Sequence, residues 1–257
     1  MRIMLVTQED PVYIPPFIAA LMPARGKDIV GITILRGEIA ASNIWKYLAF
    51  LGPGDFCRRA ARYALARVSD ICFPTGRDGS YHSVRAVARN FCKAVFEPQN
   101  VNESRYLEEL SELGIDLIIS ISAPQIFKRT ILELPKYGCI NVHNGLLPKY
   151  QGMMPSFWVL ANGEKWTGTT IHYMDEAIDR GPIILRETTR IAEDETLHSL
   201  VYRTKAVIGP RLLLRAISLL EVDEVEAMEP DWSTGTYFGF PDRQAVDRFR
   251  AAGRKFG

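Results

Sequence analysis

Residues 115–121, reading IDLIISI, restrict the fold more than any other stretch. A short and almost unbroken apolar run, bounded by Gly114 before it and Ser122-Ala123-Pro124 after it, fits a strand buried on both faces. Strands of that kind belong to parallel sheets that carry helices on both sides. The beginning of the chain supports the same architecture. Residues 2–7 read as a strand broken at Gln8-Glu9-Asp10-Pro11, Pro15-Pro16 opens a helix reaching about Ala24, and residues 28–35 form a second strand. This strand, helix, strand order predicts a right-handed βαβ unit in a mostly parallel, twisted α/β sheet.

The remaining segments extend that pattern. Residues 43–70 read as two helices broken at Gly52-Pro53-Gly54, residues 81–92 and 103–113 as further helices, and 94–96 as a short strand. Residues 183–191 form an outward strand, and Glu193-Asp194-Glu195 leads into a long helix ending near Leu220, with a kink expected at Gly209-Pro210. The expected organisation is a main domain over 1–222 with a helical insertion at about 43–92, followed by a short carboxyl-terminal appendage, 223–257, made of an extended stretch and a basic helix. The 257 residues, 47% apolar and 24% charged, have ordinary globular composition. A net charge of +1 gives no global field to draw the protein to nucleic acid or anionic lipid. Cys57, Cys72, Cys92 and Cys139 have neither disulfide nor metal-ligand spacing, which fits reduced thiols in a cytoplasm. Met1 leads straight into a strand, so neither a signal peptide nor a membrane span is expected there. The GxGxxG and GxxxxGK[ST] nucleotide fingerprints are absent.

The chemistry concentrates in residues 138–182. In GCINVH, a period of two puts Cys139, Asn141 and His143 on one strand face, and Gly145, Pro148 and Gly152 then break regular structure. An amide and an imidazole therefore sit at a strand's carboxyl end, the edge where open α/β sheets bind ligands. Residues 167–174 make a second strand, which runs into the acidic loop Asp175-Glu176-Ala177-Ile178-Asp179-Arg180-Gly181-Pro182. If the strands are near neighbours, one of these carboxylates can orient His143 as a general base and then a general acid, while Asn141 stabilises an oxyanion. That equipment suits acyl transfer. Cys139 shares the face of His143 but is about 13 Å away at strand rise, too far for a Cys-His nucleophile.

Four motifs in this order and spacing, Asn-x-His, Leu-Leu-Pro-x-Tyr-x-Gly, Thr-Gly-x-Thr-Ile-His and Met-Asp-x-x-x-Asp-x-Gly, resemble the 10-formyltetrahydrofolate-dependent formyltransferases. The resemblance runs from about 116 to 220 and implies a Rossmann-like fold with 10-formyltetrahydrofolate as co-substrate and no metal. It puts Asn141, His143 and Asp179 on the family's catalytic residues. It also implies folate contacts from Gln125, Ile126 and Phe127, from Cys139, and from Asp175, Glu176, Ala177 and Asp179; Gln8, Asn144 and Tyr150 are the candidates for the acceptor side. Residues 125–127 have a second reading as a helix start packed on the sheet, and Cys139 one as packing. His172 reads as structural because it lies inside a strand.

The expected acceptor is a small-molecule primary amine. Pro-Ser-Phe-Trp and Thr-Ile-His-Tyr-Met-Asp-Glu are similar to segments of the sugar N-formyltransferases, which favours an amino sugar carried on a nucleotide. Thr7-Gln8-Glu9-Asp10-Pro11 does not resemble the phosphate loop of glycinamide ribonucleotide transformylase, and the tail is short beside the barrel of methionyl-tRNA formyltransferase. Those acceptors, a hydroxyornithine-like amine, and a folate- or nucleotide-binding protein without turnover stay as alternatives. Residues 43–70 include a basic amphipathic helix, read as a cover for the sheet, a homodimer contact or a membrane-surface contact.

Overall fold

The computed structural model describes residues 1–37, 44–75 and 79–257. The expected start of the insertion at Asn43 falls outside them. The strands are β1 (Ile3–Gln8), β2 (Ile29–Leu35), β3 (Ala94–Phe96), β4 (Leu117–Ile121), β5 (Cys139–His143), β6 (Gln151–Gly152), β7 (Trp166–Tyr173), β8 (Ile183–Arg190) and β9 (Tyr237–Phe238). The helices are α1 (Ile14–Arg25), α2 (Ile44–Leu51), α3 (Pro53–Cys72), α4 (Val84–Asn90), α5 (Ser104–Glu112), α6 (Arg129–Leu132), α7 (Pro155–Ala161), α8 (Leu197–Val201), α9 (Gly209–Glu221) and α10 (Arg243–Ala251).

A seven-stranded sheet has the order β3-β2-β1-β4-β5-β7-β8. Pairing is parallel from β3 through β5 and antiparallel at β5–β7 and β7–β8. The mostly parallel α/β sheet anticipated from residues 115–121 is therefore present, and every residue of β4 is buried. Alternation along the strands divides the core. Ile3 and Leu5 of β1 and Ile119 of β4 pack with α1, α4 and α9, while Met4, Val6 and Ile118 pack with Tyr106 and Leu110 of α5 and Ile131 of α6. Each fully buried Ile or Leu contributes about 1.5–3 kcal/mol of apolar transfer, so the two layers fix the sheet on which the site is built.

A third apolar cluster joins Phe50 and Leu51 of α2, Phe157 and Trp158 of α7, and Val246, Phe249 and Phe256 of the carboxyl-terminal segment. Residues 223–257 thus pack back on α2 and α7, and β9 pairs with β6 beside the loop that follows β5. The break between α2 and α3 lies at Gly52, whose φ of 80° turns the chain into the Pro53 start of α3. The long helix after β8 is not interrupted at Pro210 as expected. Pro210 occupies the first turn of α9, where its missing N–H is harmless, and the irregularity lies just before it, where residues Tyr202–Ile208 form a π-helical segment. Among the described residues, no helix is long and apolar enough to cross a membrane.

Candidate active site

Strand periodicity puts Asn141 and His143 on the same face of β5. The antiparallel register then sets His172 of β7 directly opposite Asn141, and Thr170 opposite His143. Directly opposed residues share a face. Beyond β7, the chain folds back so tightly that a Cβ on Gly181 would lie 1.9 Å from the Tyr173 carbonyl oxygen. Asp179 takes a left-handed φ of 53°, a conformation aspartate tolerates better than most residues. Its carboxylate meets the strand residues. Oδ2 accepts a hydrogen bond from the Gly152 N–H at 2.8 Å and stands 3.4 Å from Nδ1 of His143; Oδ1 accepts from the Asn141 amide at 3.3 Å.

The other side of His143 is also held. Nε2 lies 2.8 Å from the backbone carbonyl of Tyr150, so this nitrogen carries a proton and donates it. Gly145 allows the approach, since a Cβ there would fall 2.8 Å from Nε2. The loop is tied to β7 and β8 by the Thr170 hydroxyl, which donates to the Gly145 carbonyl at 2.6 Å, and by Arg186, which donates to the Leu147 carbonyl at 3.1 Å. Both ring nitrogens thus face oxygen acceptors, an environment matched to a transient imidazolium.

His172 completes the cluster. Its Nδ1–H donates to the Tyr173 carbonyl at 2.7 Å, leaving Nε2 to accept from the Asn141 amide at 3.2 Å. Sequence reading as a structural strand histidine missed this position. The available signal was the alternation in Thr-Ile-His, which puts Thr170 and His172 on one face.

His143 is 5% and Asp179 11% exposed by side chain, so solvent screens their interaction little. Burial lowers the imidazole pKa below the ordinary histidine value, with Asp179 opposing that shift, and the resting ring is neutral at pH 7. Burial alone would raise the Asp179 carboxyl. The opposing pull of His143 and His172 and the Gly152 N–H outweigh it and hold the acid well below the usual carboxylate range.

The other sequence candidates are more scattered. The Gln125 side chain is committed to the 99–101 turn, accepting from the Val101 N–H at 2.8 Å and donating to the Gln99 carbonyl at 3.0 Å. Phe127 is buried in the core, Ile126 is 62% exposed, and the segment stays non-helical until α6. Cys139 is buried with its thiol on the Ile131 carbonyl, so it packs beneath the sheet surface. Asp175, Glu176 and Ala177 form an exposed turn in which Asp175 accepts from the Ala177 N–H at 2.9 Å. Tyr150 reaches the cluster through its backbone carbonyl, because its phenol is bonded to Glu164 at 2.7 Å. Asn144 donates to Thr204 at 3.3 Å, and Gln8 ends β1.

A family model described as formyl transferase matches residues 69–217. The methionyl-tRNA formyltransferase of Alkaliphilus oremlandii is 42% identical over 153 residues, covering 60% of this chain and 48% of that protein. The methionyl-tRNA formyltransferase of Kosmotoga olearia is 39% identical over 199 residues, covering 74% and 64%. The chain therefore spans about half to two thirds of the length of these relatives. An N-formyltransferase from Helicobacter canadensis, solved with folinic acid and dTDP-3-aminofucose, superposes with a TM-score of 0.63 at 17% identity, over 98% of this chain and 80% of that one. At that identity the likeness is one of fold.

Proposed function

The chain belongs to the formyl transferase family, and on that premise we propose that it transfers a formyl group from 10-formyltetrahydrofolate to a primary amine at Asn141, His143 and Asp179. The observation that carries this reading is His143 held between the Asp179 carboxylate and the Tyr150 carbonyl, with the Asn141 amide on the same carboxylate.

The amine nitrogen attacks the formyl carbon, a new C–N bond forms and negative charge develops on the formyl oxygen. The Asn141 amide turns from its resting partners to donate to that oxygen. His143 takes the proton lost by the attacking nitrogen at Nδ1, its unprotonated nitrogen in the resting ring, is stabilised as imidazolium by Asp179, and delivers the proton from Nδ1 to the folate nitrogen as its C–N bond breaks. Positioned proton transfer of this kind is worth about 10²- to 10⁴-fold. The donor fits between residues 122–129 and 174–180. Ile126 and Ile178, 62% and 44% exposed, offer apolar surface to a pterin.

The acceptor favoured here is a small-molecule amine carried on a nucleotide. A second reading, methionyl-tRNA, is favoured by the 42% and 39% identity to methionyl-tRNA formyltransferases. The test gives purified protein 10-formyltetrahydrofolate with nucleotide-linked amino sugars, methionyl-tRNA, glycinamide ribonucleotide and simple amines, beside His143→Ala. Turnover with one acceptor that the variant loses is expected. Undiminished turnover in the variant, or none in the wild type with any amine, would refute formyl transfer at this site.

A further inference from the structure

Helix α3 carries two apolar faces. Its inner side sets Phe56 against the cluster that joins α2 and α7, and buries Ala66. A surface helix needs one such face and is polar on the other. Here, at about 100° per residue, Cys57, Ala61, Leu65, Val68, Ile71 and Cys72 fall with Ala64 in one sector about 120° wide on the opposite side, and no polar residue of α3 falls within it. Each of these side chains is exposed, Leu65 at 68%, Val68 at 57% and Ile71 at 80%. Single exposed apolar residues are ordinary, but a contiguous band of them marks a surface that something covers.

The borders of the band point to its partner. Arg58 and Arg62 flank one edge and Arg67 the other, all three exposed, while Asp55 and Asp70 lie farther round toward the inner face. Arg58 keeps Asp55 as an ion-pair partner, and Arg62 lies 3.4 Å from Nδ1 of His198. Even so, Arg58, Arg59, Arg62 and Arg67 stand against only Asp55 and Asp70 on this helix, so it is basic within a chain whose net charge is +1. A second copy of the chain seated on the band would set these arginine borders against each other. An anionic lipid surface turns the same charges into attraction. The arginine stems can run along the headgroups while the apolar side enters the boundary with the acyl chains, the arrangement of a helix lying flat in the interface. At 20 residues α3 offers about 30 Å of such contact.

We propose that α3 docks the protein peripherally on an anionic bilayer, with Leu65, Val68 and Ile71 among the acyl chains and Arg58, Arg62 and Arg67 at the headgroups. This gives the inserted helix a role in location rather than in chemistry. The proposal goes beyond formyl transfer at Asn141, His143 and Asp179, and each stands if the other fails.

The native cysteines provide the readout. Cys57 and Cys72 lie in the band, and Cys92, also exposed, lies between α4 and β3 as an internal control. The full chain is labelled with a maleimide alone, with phosphatidylcholine vesicles, and with vesicles containing phosphatidylglycerol, and mass spectrometry follows each thiol. All three should react without lipid. Phosphatidylglycerol vesicles should slow Cys57 and Cys72 at least about fivefold and spare Cys92, while phosphatidylcholine alone should protect none. Salt at about 1 M should relieve the protection. In vesicle flotation, Leu65→Glu/Ile71→Glu should lose binding and Arg67→Gln should weaken it roughly fivefold, with circular dichroism checking the fold of each variant. No flotation of wild-type protein with phosphatidylglycerol vesicles, or equal flotation of wild type and the double variant, overturns the proposal. Protection of Cys57 and Cys72 without lipid, together with a dimeric mass by light scattering, overturns it also, since a second copy would then cover the band.

Discussion

Replacing Asp179 by Asn keeps the shape of the side chain, the oxygen that accepts from Gly152, and a residue type that tolerates a φ of 53°. What it removes is the charge facing Nδ1 of His143 at 3.4 Å and, with the amide oxygen kept on Gly152, the acceptor that Oδ1 offers to Asn141 at 3.3 Å. Two unit charges about 4 Å apart at an effective dielectric of about 20 attract by about 4 kcal/mol. Hydrogen bonds to ionised groups are about twice as strong as neutral ones, so the amide retains about half of that and the net loss is about 2–3 kcal/mol. If the imidazolium forms in the rate-determining transition state, kcat/KM for formyl transfer falls roughly 30- to 150-fold.

The same substitution has a signed effect on pH dependence. Asp179 favours protonated His143 and so raises its pKa, against the dominant lowering by burial. The wild-type acid limb of kcat/KM should therefore lie below the ordinary histidine value of about 6.5, and in Asp179→Asn it should move lower still. The assay is a pH series of kcat/KM from pH 4.5 to about 9, with thermal unfolding to check the fold. A variant within about threefold of wild type, with an unmoved acid limb, would show that Asp179 does not act through the charge on His143.

Three other outcomes follow from the geometry. Asn141→Ala should cost on the order of 10²- to 10³-fold in kcat with little change in folate affinity, read by steady-state kinetics and equilibrium binding; a purely KM effect would remove the oxyanion role. Gly145→Ala brings a Cβ within 2.8 Å of His143 Nε2 and 3.2 Å of the Pro155 Cβ, so it should destabilise the fold by about 1–3 kcal/mol in a denaturant titration and lower kcat/KM at least about tenfold; wild-type rates would mean that the imidazole does not need this position. Cys57, Cys72 and Cys92 are exposed, whereas burial pushes the Cys139 thiol far up, so a thiol reagent at pH 8 should modify the first three in native protein and Cys139 only after unfolding, as mass spectrometry would read.

Much of the sheet was legible because β4 announces its burial on both faces and because Asn141 and His143 alternate with Ile140 and Val142. Asp179 could be singled out only through the spacing of the four motifs, since Asp175 and Glu176 are equally acidic and differ only in that their loop turns them outward. His172 escaped because its role depends on β7 lying antiparallel to β5, a long-range register that local periodicity does not encode. The Tyr150 contribution escaped for another reason. It is made by a carbonyl turned inward at a φ of 60°, and side-chain chemistry carries no trace of it. Phe127 and Cys139 show the converse: apolar residues beside a ligand edge went to the core that supports that edge.

The π-helical segment gives the molecule a separable adjustment. Residues Tyr202–Ile208 carry one wide stretch between the regular turns of α8 and α9. Removing a single residue there would restore α-helical winding and rotate the preceding side chains by about 100° relative to α9. A deletion between Lys205 and α9 would shift the Lys205–Ser122 and Thr204–Asn144 contacts and the Thr204 carbonyl that accepts from Thr169, whereas His143 and Asp179 are held by the Tyr150 carbonyl and the Gly152 N–H. A one-residue deletion there therefore alters the wall beside Ser122 and Asn144 while sparing the contacts that hold His143.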